Sequence, residues 1–324
     1  MTALPAWISA ALQSKLEHVP RGPLRESAQA ISGTYRGGGT STIIRTADDS
    51  LAYALVRMPA TYAAVRAALA QAIDVIPAFA PQSILDVGAG PGTASWAGLD
   101  AWPSVERIAL VDSNARLLDL AVEFQRSAGA PRLDLSVLRG SLADTLGKAS
   151  TADVVTASYV FAEIVTAAAE GVAEQLWKLA DRLLVIVEPG TPDGFRRILR
   201  CRDFLIAKGA QIIAPCSHEG LCPLANNDRW CHFGVRLPRS RDHLLTKDAS
   251  VPFEDEKFSY LVAGKGFAAA ARGRRILATP RVSKATIGLT FCAPQTPEEH
   301  VIPRGQKEAY RAAKRLNWGD RIEL

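Results

Sequence analysis

Five short apolar runs, SILDVG from Ser83, RIALVD from Arg107, LDLSVLRG from Leu133, ADVVTASY from Ala152 and RLLVIVEPG from Arg182, are separated by stretches of helical periodicity. Strand-length runs alternating with helices predict a parallel sheet with right-handed crossovers, the doubly wound α/β design. Upstream, residues 1–80 read as helices broken by a glycine-rich loop. Residues 51–76 keep helical spacing throughout, and Pro59 is expected to kink or divide them, since an internal proline removes a donor and crowds the preceding turn. After Gly190 the alternation stops, which sets a soft boundary there, and a tail helix is expected over 304–316. No internal repeat or low-complexity tract is present.

The loop LDVGAGPGT, 85–93, follows the first run and opens a helix, where glycines let a ligand approach the backbone and the helix start offers free N–H groups. A dinucleotide fingerprint needs glycine at 88, 90 and 93, but position 93 is Thr93 and the third glycine is Gly92. With Asp86 in front, the loop reads [DE]-x-G-x-G-x-G and resembles motif I of class I S-adenosylmethionine-dependent methyltransferases. That resemblance implies S-adenosylmethionine held by Asp86, Gly88, Gly90 and Gly92, with Asp112 at the end of the second strand accepting the ribose hydroxyls. It also implies an adenine turn at Ser141 and Leu142 after Gly140, and a substrate side at Ser158 and Tyr159. The alternative is a NAD-binding or purely structural α/β domain.

The segment SYVFAE after the fourth strand has neither [DNS]-P-P-[FY] nor a Pro-Cys nucleophile. Glu163 or Tyr159 could act as a base, with a solvated acid and a packed aromatic as the plainer alternative. No catalytic residue and no methyl acceptor is assigned from the sequence.

A chain of 324 residues, 48% hydrophobic and 22% charged, has the composition of a globular protein of one large or two ordinary domains. Five cysteines is an odd number, and no apolar segment with a cleavage site opens the chain, so a reducing compartment is expected rather than a secreted disulfide framework. No uncharged apolar run approaches the roughly 20 residues of a membrane helix. The net charge of +5 is unevenly placed: residues 265–324 hold twelve Lys and Arg against five Asp and Glu. A localised basic region suggests a polyanion, most often nucleic acid, with a solvated surface as the alternative. The helix from Pro192, with Arg196, Arg197, Arg200 and Arg202, and the basic stretch at Arg272, Arg274 and Arg275 are the candidate surfaces for such a polyanion, RNA if the resemblance given below holds, with a solvated face as the alternative.

Cys216, Cys222 and Cys231 are spaced C-x5-C-x8-C, and Cys292 lies in GLTFCAP. The tight C-x2-C pairs of structural zinc sites are absent, and Cys222 precedes a proline as one cysteine does in many cluster-binding runs. From the residues alone, a [4Fe–4S] cluster, a zinc ion (with His218 or His232 in a mixed site) and reduced structural cysteines all stay open. Cys201, among Phe195, Ile198, Leu199 and Leu205, reads as a small buried thiol.

The succession LDVGAGPGT, VEPGTPDGF, APCSHEGLCPL, DRWCHF, EDEKFSYL and CAP, within residues 20–300, resembles the Rsm22-type family of mitochondrial ribosomal small-subunit proteins and its bacterial relatives. The resemblance implies an α/β, Rossmann-like class I methyltransferase doubly wound sheet, with a helical N-terminal region over 1–80, the S-adenosylmethionine-binding core over 81–190 and a C-terminal Cys-rich metal-binding part over 191–324. It implies Cys216, Cys222, Cys231 and Cys292 as iron–sulfur ligands, zinc being the alternative. The partners it implies are the small ribosomal subunit and its rRNA, with no membrane and a monomer off the ribosome, in a bacterial cytoplasm or a mitochondrial matrix. A small-molecule or protein methyltransferase with structural zinc is the rival reading. A radical methylase is disfavoured because C-x3-C-x2-C is absent. EDEKFSYL suits a strand and receives no chemistry.

Overall fold

The computed structural model describes residues 2–17, 19–127, 133–226, 228–267 and 273–322. Four helices come first: α1 (Ala6–Leu16), α2 (Arg21–Arg36), α3 (Ala47–Val56) and α4 (Met58–Val75). Pro59 divides the expected long helix rather than kinking it. It sits in the first turn of α4, where a backbone donor would have no helical partner anyway, and Arg57 forms the joint. Upstream, Thr46 and Asp49 close a capping box that starts α3.

The alternating region then builds β1 (Ser83–Val87), α5 (Thr93–Ala101), β2 (Arg107–Asp112), α6 (Ala115–Ser127), β3 (Asp134–Arg139), α7 (Leu142–Thr145), β4 (Ala152–Ser158), α8 (Ala169–Leu179) and β5 (Ala180–Pro189). Beyond residue 190 the chain continues as α9 (Pro192–Ala207), β6 (Gln211–Ala214), β7 (Phe233–Pro238), α10 (Arg241–Lys247) and β8 (Phe253–Gly264). Strand order is β3-β2-β1-β4-β5-β8-β6, with β7 also paired to β8. The first five strands are parallel and β8 runs antiparallel to β5, β6 and β7. EDEKFSYL therefore lies in an internal strand of the sheet: the first half of β8 pairs with β7 and the second half with β5. Its last seven residues are buried, so it carries the core forward past Gly190.

Strand order reverses between β1 and β4, and the loops leaving their carboxyl ends part there to open a crevice. One face of the sheet packs on α4, α5 and α6 through Tyr62, Leu69, Trp96 and Phe124, and the other on α8 and α9 through Leu176, Ile198 and Leu205. The remainder is a smaller unit of β9 (Arg274–Arg275), β10 (Arg281–Val282), β11 (Thr286–Phe291), β12 (Glu298–Pro303), α11 (Lys307–Ala313) and β13 (Arg321–Ile322). β10, β11 and β12 form an antiparallel sheet over a core of Ile287, Leu289, Phe291 and Tyr310. The tail helix is shorter than its periodicity predicts because the N–H of Arg304 is committed to the Ala285 carbonyl at 2.7 Å, holding that residue to the strand.

One glycine sets the position of α9. A Cβ at Gly194 would lie 1.9 Å from the Pro189 carbonyl oxygen, a backbone atom at the end of β5. Gly194→Ala is expected to push α9 off the sheet at a cost of about 2–3 kcal/mol. The check is a lower urea midpoint with an unchanged m value; an unmoved midpoint would show that α9 shifts freely.

Candidate nucleotide crevice and cysteine centre

At the crevice Gly88, Gly90 and Gly92 take φ values of 68°, 54° and 77°, the left-handed region that glycine enters without strain. A Cβ at Gly88 would meet Val160 Cγ2 at 2.2 Å, so the loop lies hard against the exit of β4. Asp86 is 1% exposed and points inward. One oxygen accepts from the Ser95 N–H at 3.0 Å and hydroxyl at 2.9 Å, the other from the Thr156 hydroxyl at 2.9 Å. Burial pushes it up to about 6 against those hydrogen bonds. It shapes the loop from behind by pinning α5 to β4.

Asp112, 8% exposed, ends β2 facing the loop. It accepts from Gly90 N–H at 2.7 Å and Asn114 N–H at 2.7 Å. Burial raises it, and these donors oppose the shift. Its carbonyl accepts from Gly140 N–H at 3.0 Å, which brings the Ser141–Leu142 turn alongside. Leu142 is half-buried there, while Ser141 is exposed and caps α7 through Asp144. At the end of β4 the Ser158 hydroxyl is buried without a hydrogen-bond partner among the described residues. Tyr159 follows at φ 63°, a costly conformation for a bulky residue, with its hydroxyl donating to Glu256 at 2.8 Å.

Of the groups that surround this end, the sequence reading named Glu163 but missed Tyr35, Arg57, Glu188 and Glu256. Glu163 is pushed up to about 7 by burial and then by the charge of Asp112, although Ser41 N–H donates to it. The same segment is tied down from the other side, since Asn114 Nδ2 donates to the Ser41 and Ile44 carbonyls at 2.9 and 3.0 Å. The turn at Ser41–Ile43 thus straps the carboxyl ends of β2 and β4. Arg57 stands 5.7 Å over the Tyr35 ring, and Glu188 is held by Arg197 at 2.7 Å. No local spacing links Tyr35, Arg57 or Glu256 to the glycine loop, so only the fold could bring them in.

The four candidate ligands do come together. Cys216 follows β6, Cys222 lies in the next loop, Cys231 precedes β7 and Cys292 follows β11, and all four line one narrow apolar cavity of about 40 Å³. Among the described residues, no three His, Cys, Asp or Glu side chains are grouped tightly enough to hold a single metal ion. Burial drives the Cys231 thiol well above its usual range, with the other three thiols adding to the shift. Burial, then Cys216 and Cys222, pushes Cys292 up to about 12. His218 Nε2 lies 3.4 Å from Cys292 Sγ, whereas His232 is taken up between Trp230, stacked at 5.2 Å, and Trp318, edge-on at 4.2 Å. Cys201 packs in the α8–α9 core, as its apolar neighbours suggested.

The basic surface differs from the expectation. In α9, Arg196 pairs with Asp193, Arg197 with Glu188 and Arg200 with Glu170, while Arg202 is 3% exposed. Arg275 is likewise 3% exposed and Arg274 pairs with Glu298; Arg272 lies outside the described residues. A helix read alone shows its own charges but not the carboxylates packed opposite. Instead Lys284, Arg304, Lys307, Arg311, Lys314 and Arg315 are exposed on the smaller unit, and none makes an ion pair among the described residues.

The chain is 27% identical over 294 residues to the human mitochondrial ribosome assembly protein METTL17, covering 85% of this chain and 62% of that protein. It is 26% identical over an alignment of 356 positions to Rsm22-cox11 tandem protein 2 of Schizosaccharomyces pombe, covering 92% and 46%. The chain thus spans between about half and three fifths of the length of these relatives. Solved structures that resemble it include magnesium protoporphyrin IX methyltransferase of Synechocystis with bound SAH, at 13% identity and a TM-score of 0.43 over 73% of this chain and 94% of that one. Another is precorrin-6Y C5,15-methyltransferase of Geobacter metallireducens, at 13% and 0.41 over 62% and 85%. The family model described as mitochondrial small ribosomal subunit Rsm22 matches residues 47–323, from the start of α3 past the end of β13, and the chain belongs to that family.

Proposed function

We propose that this protein is an S-adenosylmethionine-binding, iron–sulfur-containing factor that acts on the small ribosomal subunit during its assembly. The observation that carries the reading is the convergence of four cysteines, three from the β6–β7 loop and one from the end of β11, on one cavity. The cavity suits a group that presents sulfur and negative charge. Tyr260, 1% exposed, lines it with a hydroxyl that has no hydrogen-bond partner among the described residues, and two buried arginines border it. Cys216, Cys222, Cys231 and Cys292 would hold a [4Fe–4S] cluster, which here ties α9, the 215–231 loop and the smaller unit into one geometry. At the crevice Asp112 would accept the ribose hydroxyls and Gly88, Gly90 and Gly92 would line the carboxylate end. The relatives named above are mitochondrial, and the site of action would be a mitochondrial matrix or, in a bacterium, the cytoplasm. No helix among the described residues is long and apolar enough to cross a membrane.

Asp112→Ala is expected to weaken S-adenosylmethionine binding by about 1–3 kcal/mol, since the ribose diol loses its acceptor. Calorimetry that finds unchanged affinity would remove Asp112 from the site, and tight NAD binding by the wild type would overturn the cofactor. Co-sedimentation of wild-type protein with small subunits or their precursors tests the reading as a whole, and a protein that never associates refutes it.

A second reading, methyl transfer to rRNA, is favoured by Glu163, an exposed residue whose carboxyl is pushed up to about 7 by desolvation and the charge of Asp112. A base works deprotonated, so transfer from labelled S-adenosylmethionine to small-subunit RNA would rise as pH passes about 7 and vanish in Glu163→Gln. A flat profile with activity intact in the variant would exclude Glu163 as the base.

A further inference from the structure

Two arginines near the cysteines are buried where a charge is costly. Arg275 makes no ion pair among the described residues; its guanidinium donates to the Pro215 carbonyl at 2.9 Å, the Gly319 carbonyl at 2.7 Å and the Gln71 side-chain oxygen. Arg202 donates to the His218 and Gly220 carbonyls at 3.1 and 2.7 Å and meets one carboxylate, the half-exposed Asp203, at its outer edge. Its Nε has no hydrogen-bond partner among the described residues, and Cys216 lines the cavity with it. Both arginines and all four cysteines line the same cavity. Isolated buried cations of this kind destabilise a fold unless an anion joins them.

The same two side chains hold the backbone that presents the cysteines. Arg202 bonds the chain between Cys216 and Cys222. Arg275 bonds the carbonyl just before Cys216, and its own carbonyl accepts from Cys292 N–H at 2.8 Å. Tyr260 adds a buried hydroxyl that lines the same cavity.

We propose that Arg202, Arg275 and the Tyr260 hydroxyl are the charge-balancing and hydrogen-bonding shell of the cysteine centre: the guanidiniums offset the negative charge of four thiolates and the hydroxyl donates to sulfur. This rests on the iron–sulfur reading. Four thiolates around a [4Fe–4S] core leave an excess of negative charge, and buried positive charge and hydrogen bonds to sulfur raise its reduction potential and slow its loss. The arginines are thus positioning residues for the centre rather than an RNA surface.

The experiment uses full-length protein purified without oxygen, comparing wild type, Arg202→Gln, Arg202→Lys, Arg275→Gln, Tyr260→Phe and Cys201→Ser. Iron and sulfide per chain, the midpoint of one-electron reduction by dithionite with mediators, and the rate of iron loss to a chelator are measured. Arg202→Gln and Tyr260→Phe are expected to shift the midpoint to more negative values and to lose iron about ten-fold faster. Arg202→Lys should recover much of the midpoint, and Cys201→Ser should match wild type. If Arg275→Gln fails to fold, Tyr260→Phe and Arg202→Lys still decide, because a merely structural role would leave the midpoint of loaded protein unmoved. Iron-loaded variants with the wild-type midpoint and rate of iron loss overturn this inference alone. Wild-type protein without iron overturns the cluster reading and this inference with it.

Discussion

Cys222→Ser and Cys292→Ser proteins, purified without oxygen, are expected to be colourless and nearly free of iron, whereas wild type and Cys201→Ser should be brown with about four irons per chain. The difference should be all or none, because the cavity offers no spare thiol to replace a lost ligand. Cys222 sits in the loop whose carbonyls Arg202 holds, and Cys292 ends β11, so losing either leaves the centre open on a different side. The consequence reaches further than colour. Without ligation, the loop after β6 keeps the Arg202 and Arg275 bonds but loses the anion these buried guanidiniums would face, so the 215–231 segment should become protease-sensitive. Colourless wild type with one zinc would refute iron while keeping the ligand set, and iron retained by Cys292→Ser would put the fourth ligand elsewhere.

Replacing Lys284, Arg304, Lys307, Arg311, Lys314 and Arg315 together by glutamine should remove most of the association with small subunits. If these six exposed cations meet phosphates, binding releases their counterions and falls about a thousand-fold between 50 and 200 mM salt. The substituted protein should bind weakly and with a much flatter salt dependence. Arg196→Gln with Arg200→Gln is the comparison, and it should cost little because both side chains already face Asp193 and Glu170. If the α9 pair carries the salt dependence and the six do not, the RNA surface lies on α9 after all. If wild type itself never sediments with subunits, the ribosomal reading fails and a small-molecule methyltransferase becomes the better account.

The alternation of apolar runs and helices was enough to predict β1 to β5 and their crossovers, because parallel strands and amphipathic helices write their period into neighbouring residues. The loop at Gly88, Gly90 and Gly92 was legible for the same reason: positive φ and close approach are demands on single positions. Cysteine, having few other uses in such a chain, also announced its own candidates. What only the tertiary structure decided is which groups face one another. Asp86 and Asp112 are both acids after strand runs, yet one turns back to Ser95 and Thr156 while the other fronts the loop, which depends on the pleat and on the helix beyond. EDEKFSYL read as a strand of no stated place, and only the pairing with β7, β5 and β6 put it inside the sheet, since sheet neighbours are chosen by long-range pairing. Arg202 and Arg275 looked like surface charge. Their burial beside the thiols follows from α9 and β9 packing against the 215–231 loop, a contact between segments more than ten residues apart that no local pattern encodes.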